Sequence, residues 1–111
     1  MDNREFYIPD VPPFPLENSS KIIITQLSEE TSIQTWPPGF STGNDIITHT
    51  FYEEVYLLDG SITDLSLNKT FGKGYHAWRN PQMKHGPYQA DQNLGCQMLV
   101  IVRQSDYRSN V

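Results

Sequence analysis

The sequence predicts an all-β domain. Three observations carry this. Short β-branched or alternating segments recur along the 111 residues, turn residues fill the gaps between them, and no window sustains an apolar repeat of 3.6 residues. The length suits one domain. A hydrophobic content of 37% supplies one core, and 19% charged residues is too few for a solvated, disordered polymer.

Along the chain, residues 1–20 read as a proline-rich arm. Pro9, Pro12, Pro13 and Pro15 lie among Phe6, Tyr7 and Phe14. Proline fixes φ and lacks an amide donor, so this segment is extended and non-helical. Its aromatics suggest that it packs on its own barrel or on a partner subunit; a ligand for another protein's groove is the alternative. Residues 21–111 read as the folded domain, an all-β sandwich or barrel. Strands are expected at 21–27, which is isoleucine-rich, and at 31–36, 45–51, 54–58, 61–67, 75–79 and 95–103. Asp59-Gly60 reads as a hairpin-like turn between two of them. Pro37-Pro38-Gly39, Gly43-Asn44, Gly72-Lys73-Gly74, Asn80-Pro81, Gly86-Pro87 and Asn93-Leu94-Gly95 separate the others.

Charge narrows the function. The formal net charge is −5 and the pI about 4.9. A nucleic-acid binder needs a basic stripe and an anionic-membrane binder a basic patch, so neither partner is expected. No stretch approaches the ~20 apolar residues of a membrane span. Met1-Asp2-Asn3-Arg4-Glu5 is followed by no apolar region of a signal peptide, so a cytoplasmic location is expected. The sequons at Asn18 and Asn68 are then chance matches. The single cysteine, Cys96, excludes an intrachain disulfide, and its strand setting reads as inert packing.

There is no nucleophile elbow, phosphate-cradling loop or Cys-x-x-Cys. What remains is a set of metal-ligand types. His49 and Glu53 are four residues apart, and i and i+4 on a strand share a face. His85, from a facing hairpin, completes a two-histidine, one-carboxylate set suited to Fe(II) with open positions or to Zn²⁺. Two histidines and a glutamate also occur together by chance.

Their order is more informative. One segment runs Glu53-Glu54-Val55-Tyr56-Leu57-Leu58-Asp59-Gly60, and another Gly74-Tyr75-His76-Ala77-Trp78-Arg79-Asn80-Pro81-Gln82-Met83-Lys84-His85-Gly86-Pro87. The pair resembles the two cupin motifs. His49, Glu53 and Gly60 match the first motif; Gly74, Pro81 and His85 match the second in order, with a one-residue length change on each side of the proline and without its internal glycine. The phrasing is most similar to small single-domain RmlC-like cupins of the ChrR-like type. The resemblance covers residues 36–103. It implies a single jelly-roll barrel with a divalent metal (Fe, Zn or Mn) inside, held by His49, Glu53 and His85. One departure stands out: the first histidine of the family's pair falls on Ile47. That leaves either a three-ligand site or a site that has lost its metal. Asp45, on the same strand parity, is a possible substitute ligand.

Further candidates surround this set. Glu54 should point away from Glu53, as an outward or dimer-edge charge. His76 and Arg79 join Glu53 and His85 as catalytic candidates: His76 as a general base or an ordinary surface or core histidine, Arg79 as a two-pronged clamp on a substrate carboxylate or enolate or as a wall salt bridge. Tyr52, Tyr56 and Trp78 are candidate pocket residues that also suit a core. Gln97 can bond a ligand or face solvent. The expected function is metal-assisted oxygenation, isomerisation or cyclisation of a small enol, β-dicarbonyl or aromatic molecule. A metal-free acid/base enzyme and a non-catalytic sensor of metal or small molecules are the alternatives. A homodimer through sheet edges or the arm is expected.

Overall fold

The computed structural model describes residues 5–17, 19–106 and 108. Residues 1–4 and Asn18, on which the signal-peptide reading and one sequon rest, lie outside this set. Among the described residues eight strands follow in order: β1 Phe14–Leu16, β2 Ser19–Gln26, β3 Thr31–Trp36, β4 Tyr52–Asp64, β5 Lys69–Gly72, β6 His76–Arg79, β7 Tyr88–Ala90 and β8 Cys96–Arg103. Every pairing among them is antiparallel. The hydrogen-bonded order is β1-β2-β3-β8-β4-β5, with β6 and β7 also paired to β4.

The 13-residue β4 organises the barrel. Its first half lies between β6 and β8, with Glu53 opposite Arg79 and Val102. Its second half pairs with β5 and β7, with Ile62 opposite Phe71 and Ala90. One strand therefore serves both sheets. The crossing occurs at a bulge between Leu57 and Asp59. An added residue shifts the side-chain alternation by one. The buried positions accordingly change from Val55 and Leu57 before the bulge to Ile62 and Asp64 after it.

Here the structure corrects the expected hairpin at Asp59-Gly60. An Asp-Gly pair is a turn signal because glycine accepts positive φ, and Gly60 does have φ of 69°. Gly60 instead continues β4 just past the bulge, paired with Cys96, and a Cβ there would collide with the Gly95 carbonyl oxygen. The expected strand at 45–51 is likewise replaced by irregular chain, held by one isolated bridge in which Ile47 and His85 exchange backbone bonds of 2.8 and 3.0 Å. Its β-branched residues face a single bridge rather than a ladder.

The core is built by alternation. Ile22 and Ile24 of β2, Cys96, Met98 and Val100 of β8, and Val55 and Leu57 of β4 face inward with Trp36, Ile62, Tyr88 and Ala90. The arm differs from its expectation. Its segment Phe14–Leu16 is β1, which pairs with β2, so the barrel begins inside residues 1–20. Phe6 is 88% and Phe14 40% exposed; Leu16 alone of this strand packs against the core. The attachment is mainly backbone pairing. Among the described residues, no helix is long and apolar enough to cross a membrane.

Candidate metal and substrate site

The site forms where irregular chain from two directions meets β4. His49 lies in the segment before β4, Glu53 on its inward face, and His85 just before β7. The Ile47–His85 bridge brings the two histidine-bearing segments together. Gln82 strengthens that join by donating its backbone N–H to the His49 carbonyl at 2.8 Å. His49 Nε2 lies 3.5 Å from Glu53 Oε1 and 3.3 Å from His85 Nε2. One ligand atom from each of the three residues falls within 4.8 Å of the others. Asp45 does not join this group, and Ile47 stands in the wall beside it.

The donor set fits a divalent ion. Neighbouring ligands that each lie ~2.0–2.1 Å from one ion stand roughly 3.0–3.5 Å apart, the range of both separations above. His49 Nδ1 lies 3.0 Å from the Phe51 carbonyl, which can only accept, so the ring donates there and points its Nε2 toward the centre. An outer hydrogen bond of this kind commonly orients metal-binding histidines. Burial, with the Arg79 cation beside it, pushes the His85 imidazole down to about 4, so the ring is neutral and free to ligate. His85 Nδ1 is buried and, among the described residues, has no hydrogen-bond partner.

Arg79 is the residue that ties the centre to its surroundings. It lies opposite Glu53 on β6. Its Nη1 donates to Glu53 Oε1 at 2.8 Å and its Nη2 to the Tyr88 hydroxyl at 2.8 Å. Both Arg79 and Glu53 side chains are largely buried, at 14% and 12% exposure. The guanidinium thus holds the carboxylate in place and also lowers the negative charge available to a metal.

The other sequence candidates lie elsewhere. Glu54 points opposite to Glu53, as its parity requires, but it is not a solvated charge. It is 8% exposed, with Oε1 3.0 Å from His76 Nε2 and Oε2 accepting from Arg103 Nε at 2.6 Å. His76 is therefore tied to Glu54 rather than to the three-residue group, and it borders the larger cavity. Tyr52 packs on Trp78, with ring centroids 5.8 Å apart, and lines neither barrel cavity. Tyr56 is 44% exposed and Gln97 bonds Thr35 on the outside of the sheet. Strand alternation turns both away from the interior. Trp78 borders the larger cavity, and its indole N–H donates to Asn80. Cys96 is buried and its thiol is pushed up to about 11, as inert packing requires.

Two cavities meet at the site. One of about 160 Å³ includes Ile47, His49 and Glu53 in its wall. The other, about 360 Å³, runs among Leu57, Leu67, Phe71 and Tyr75. Arg79, His85 and Tyr88 border both. Tyr88 went unnoticed in the sequence, where it is one of 6 tyrosines; the signal available was its place three residues after His85.

No protein-family model and no curated protein matches the sequence. Solved structures do match in shape. The polyketide cyclase RemF from Streptomyces resistomycificus is 18% identical with a TM-score of 0.71, over 92% of this chain and 79% of that one. The complex of Rhodobacter sphaeroides SigE with the anti-sigma ChrR gives 21% identity and a TM-score of 0.63, over 84% of this chain and 49% of that one. Fe(II)-HppE with the alternative substrate (S)-1-HPP gives 16% and 0.62, over 93% of this chain and 61% of that one. The chain therefore spans about half the length of the protein it matches in the second complex. At these identities the likeness establishes the fold: the chain is a cupin jelly-roll barrel, and the ChrR cupin is among those it resembles.

Proposed function

We propose that this barrel holds a divalent metal ion between His49, Glu53 and His85 and acts as an enzyme on a small organic molecule. The observation that carries the reading is the convergence of three ligand atoms within 4.8 Å beside an apolar cavity of about 360 Å³. A metal bound there would supply Lewis-acid chemistry, or dioxygen chemistry if it is iron, to a substrate oxygen. Oxygenation, isomerisation and cyclisation all belong to that chemistry.

The chain's own residues do the rest. His85 presents a neutral imidazole, and His49 turns its Nε2 toward the same point. Arg79 fixes the Glu53 carboxylate and places a positive charge where an enolate would develop. Leu57, Ile62, Phe71 and Met98 exclude water from the reacting end. The cyclase and the Fe(II) protein among the structural neighbours support this class of function.

Metal analysis of protein purified without added chelator tests the reading. The expected result is about one divalent ion per chain, lost in His49→Ala and in His85→Ala. Protein without metal, and unable to take it up on titration, sinks it. A metal-free acid/base enzyme is the second reading, favoured by the 2.8 Å Arg79–Glu53 pair and by Ile47 in place of a ligand. Turnover that survives a chelator but not Glu53→Gln would select it.

A further inference from the structure

The Tyr88 hydroxyl has an unused proton. It accepts the Arg79 Nη2 bond at 2.8 Å, and among the described residues it donates to no acceptor. The residue is only 7% exposed, so bulk water does not readily satisfy that donor. Tyr88 borders both cavities, as His85 and Arg79 do. A buried hydroxyl fixed from one side by a guanidinium is an oriented donor.

The walls of the larger cavity say what accompanies the accepting oxygen. Phe71 and Tyr75 meet edge to face at 5.4 Å on one part of the wall. His85 and Tyr88 lie at 5.9 Å on another. Leu57, Ile62 and Met98 fill between. The wall enclosing about 360 Å³ is mainly aromatic and aliphatic, with Asp64, His76, Arg79, Lys84 and His85 as its polar part; that balance matches a ring skeleton of two or three fused rings with few polar atoms better than a sugar, whose many hydroxyls would be left unpaired.

We propose that the larger cavity takes a flat, conjugated ring molecule carrying a phenolic or enolic oxygen, and that Tyr88 recognises that oxygen by donating its hydroxyl proton. The proposal rests on the enzyme reading for its position beside His85, and it names the substrate class of that site. Tyr88 binds the oxygen directly, and Arg79 positions Tyr88.

The test is a pair of fluorescence titrations of the full chain in EDTA, with 2-naphthol and with 2-methylnaphthalene. The two probes share size and ring system and differ in the hydroxyl. Wild type should bind 2-naphthol about tenfold more tightly, the discrimination expected where a buried donor is otherwise left unpaired. Tyr88→Phe should abolish that preference and leave the affinity for 2-methylnaphthalene unchanged. Leu67→Trp, at a 61% exposed position on the cavity wall, should weaken both probes. Equal affinity of wild type for the two probes overturns the proposal, and that comparison needs no variant to fold. Failure of 2-naphthol to bind overturns it, as does a preference that persists in Tyr88→Phe. Because the chelator is present throughout, this comparison tests the cavity assignment alone, and its failure is distinguishable from failure of the enzyme reading, which the metal analysis of chelator-free protein decides.

Discussion

At the residue scale, His85 carries a pH dependence that can be signed. Its folded-state value of about 4 lies below the ordinary 6.5, so the unfolded chain binds the proton more readily. The associated stability is fully present above pH 6.5 and is lost as the pH falls toward about 4. Thermal melts in EDTA should therefore show wild type losing more Tm between these pH values than His85→Gln does; parallel losses would remove His85 from the acid transition. The two adjacent glutamates separate by role. Glu53→Gln weakens the Arg79 contact and removes a metal-ligand charge. Glu54→Gln leaves His76 and Arg103 without their carboxylate on the other face. Each should cost about 1–3 kcal/mol in denaturant melts, the scale for a charged partner lost from a partly buried network. Only Glu53→Gln should also abolish metal retention. Equal metal contents in the two variants would contradict the inward and outward assignment.

At the element scale, the packing of β4 against β8 depends on two glycines, Gly60 just past the bulge and Gly95 just before β8. Gly60 and Gly95 have φ of 69° and 68°, and they sit so close that a Cβ on Gly95 would strike the Trp36 carbonyl oxygen. Gly95→Ala must pay the left-handed backbone penalty of about 1–2 kcal/mol and also push β3 and β8 apart. A total loss of about 2–4 kcal/mol is expected in urea melts. Gly43→Ala is the control: its φ of 70° is similar but nothing lies within 4 Å of its would-be Cβ, so it should cost less. Strands with strong alternation were legible beforehand. Residues 31–36 were expected as a strand and are β3, and 95–103 differs from β8 by one residue. Short elements were not. Lys69–Gly72 and Tyr88–Ala90 carry too few residues to show a period, and only β4 makes them strands. The segment 45–51 misled in the opposite way, since its local composition favours a strand that lacks a continuous partner.

At the scale of the whole molecule, the same distinction explains what was legible of the site. His49, Glu53 and His85 could be gathered from spacing and motif order because those features follow the chain. Tyr88 could not, because its meeting with Arg79 depends on β6 and β7 both pairing with β4. The site is thus a product of the closed barrel: its candidate ligands come from chain before β4, from β4 itself and from the loop before β7. An ion bound to all three must stabilise the folded barrel over the unfolded chain, which cannot assemble them. At a free metal concentration one hundred times Kd, the linkage is worth about 2.7 kcal/mol, a Tm rise of roughly 10 °C for a domain of this size. Thermal melts of EDTA-stripped protein against increasing Zn²⁺ or Fe(II) under anaerobic conditions measure it. Wild type should show a rise that grows logarithmically with metal, whereas His49→Ala and Glu53→Gln should show none. Gln97→Ala, on the outer face of β8, should match wild type. A flat wild-type melt across that range would mean that Arg79 neutralises Glu53 too fully for a cation to compete, and that the three residues serve proton transfer instead.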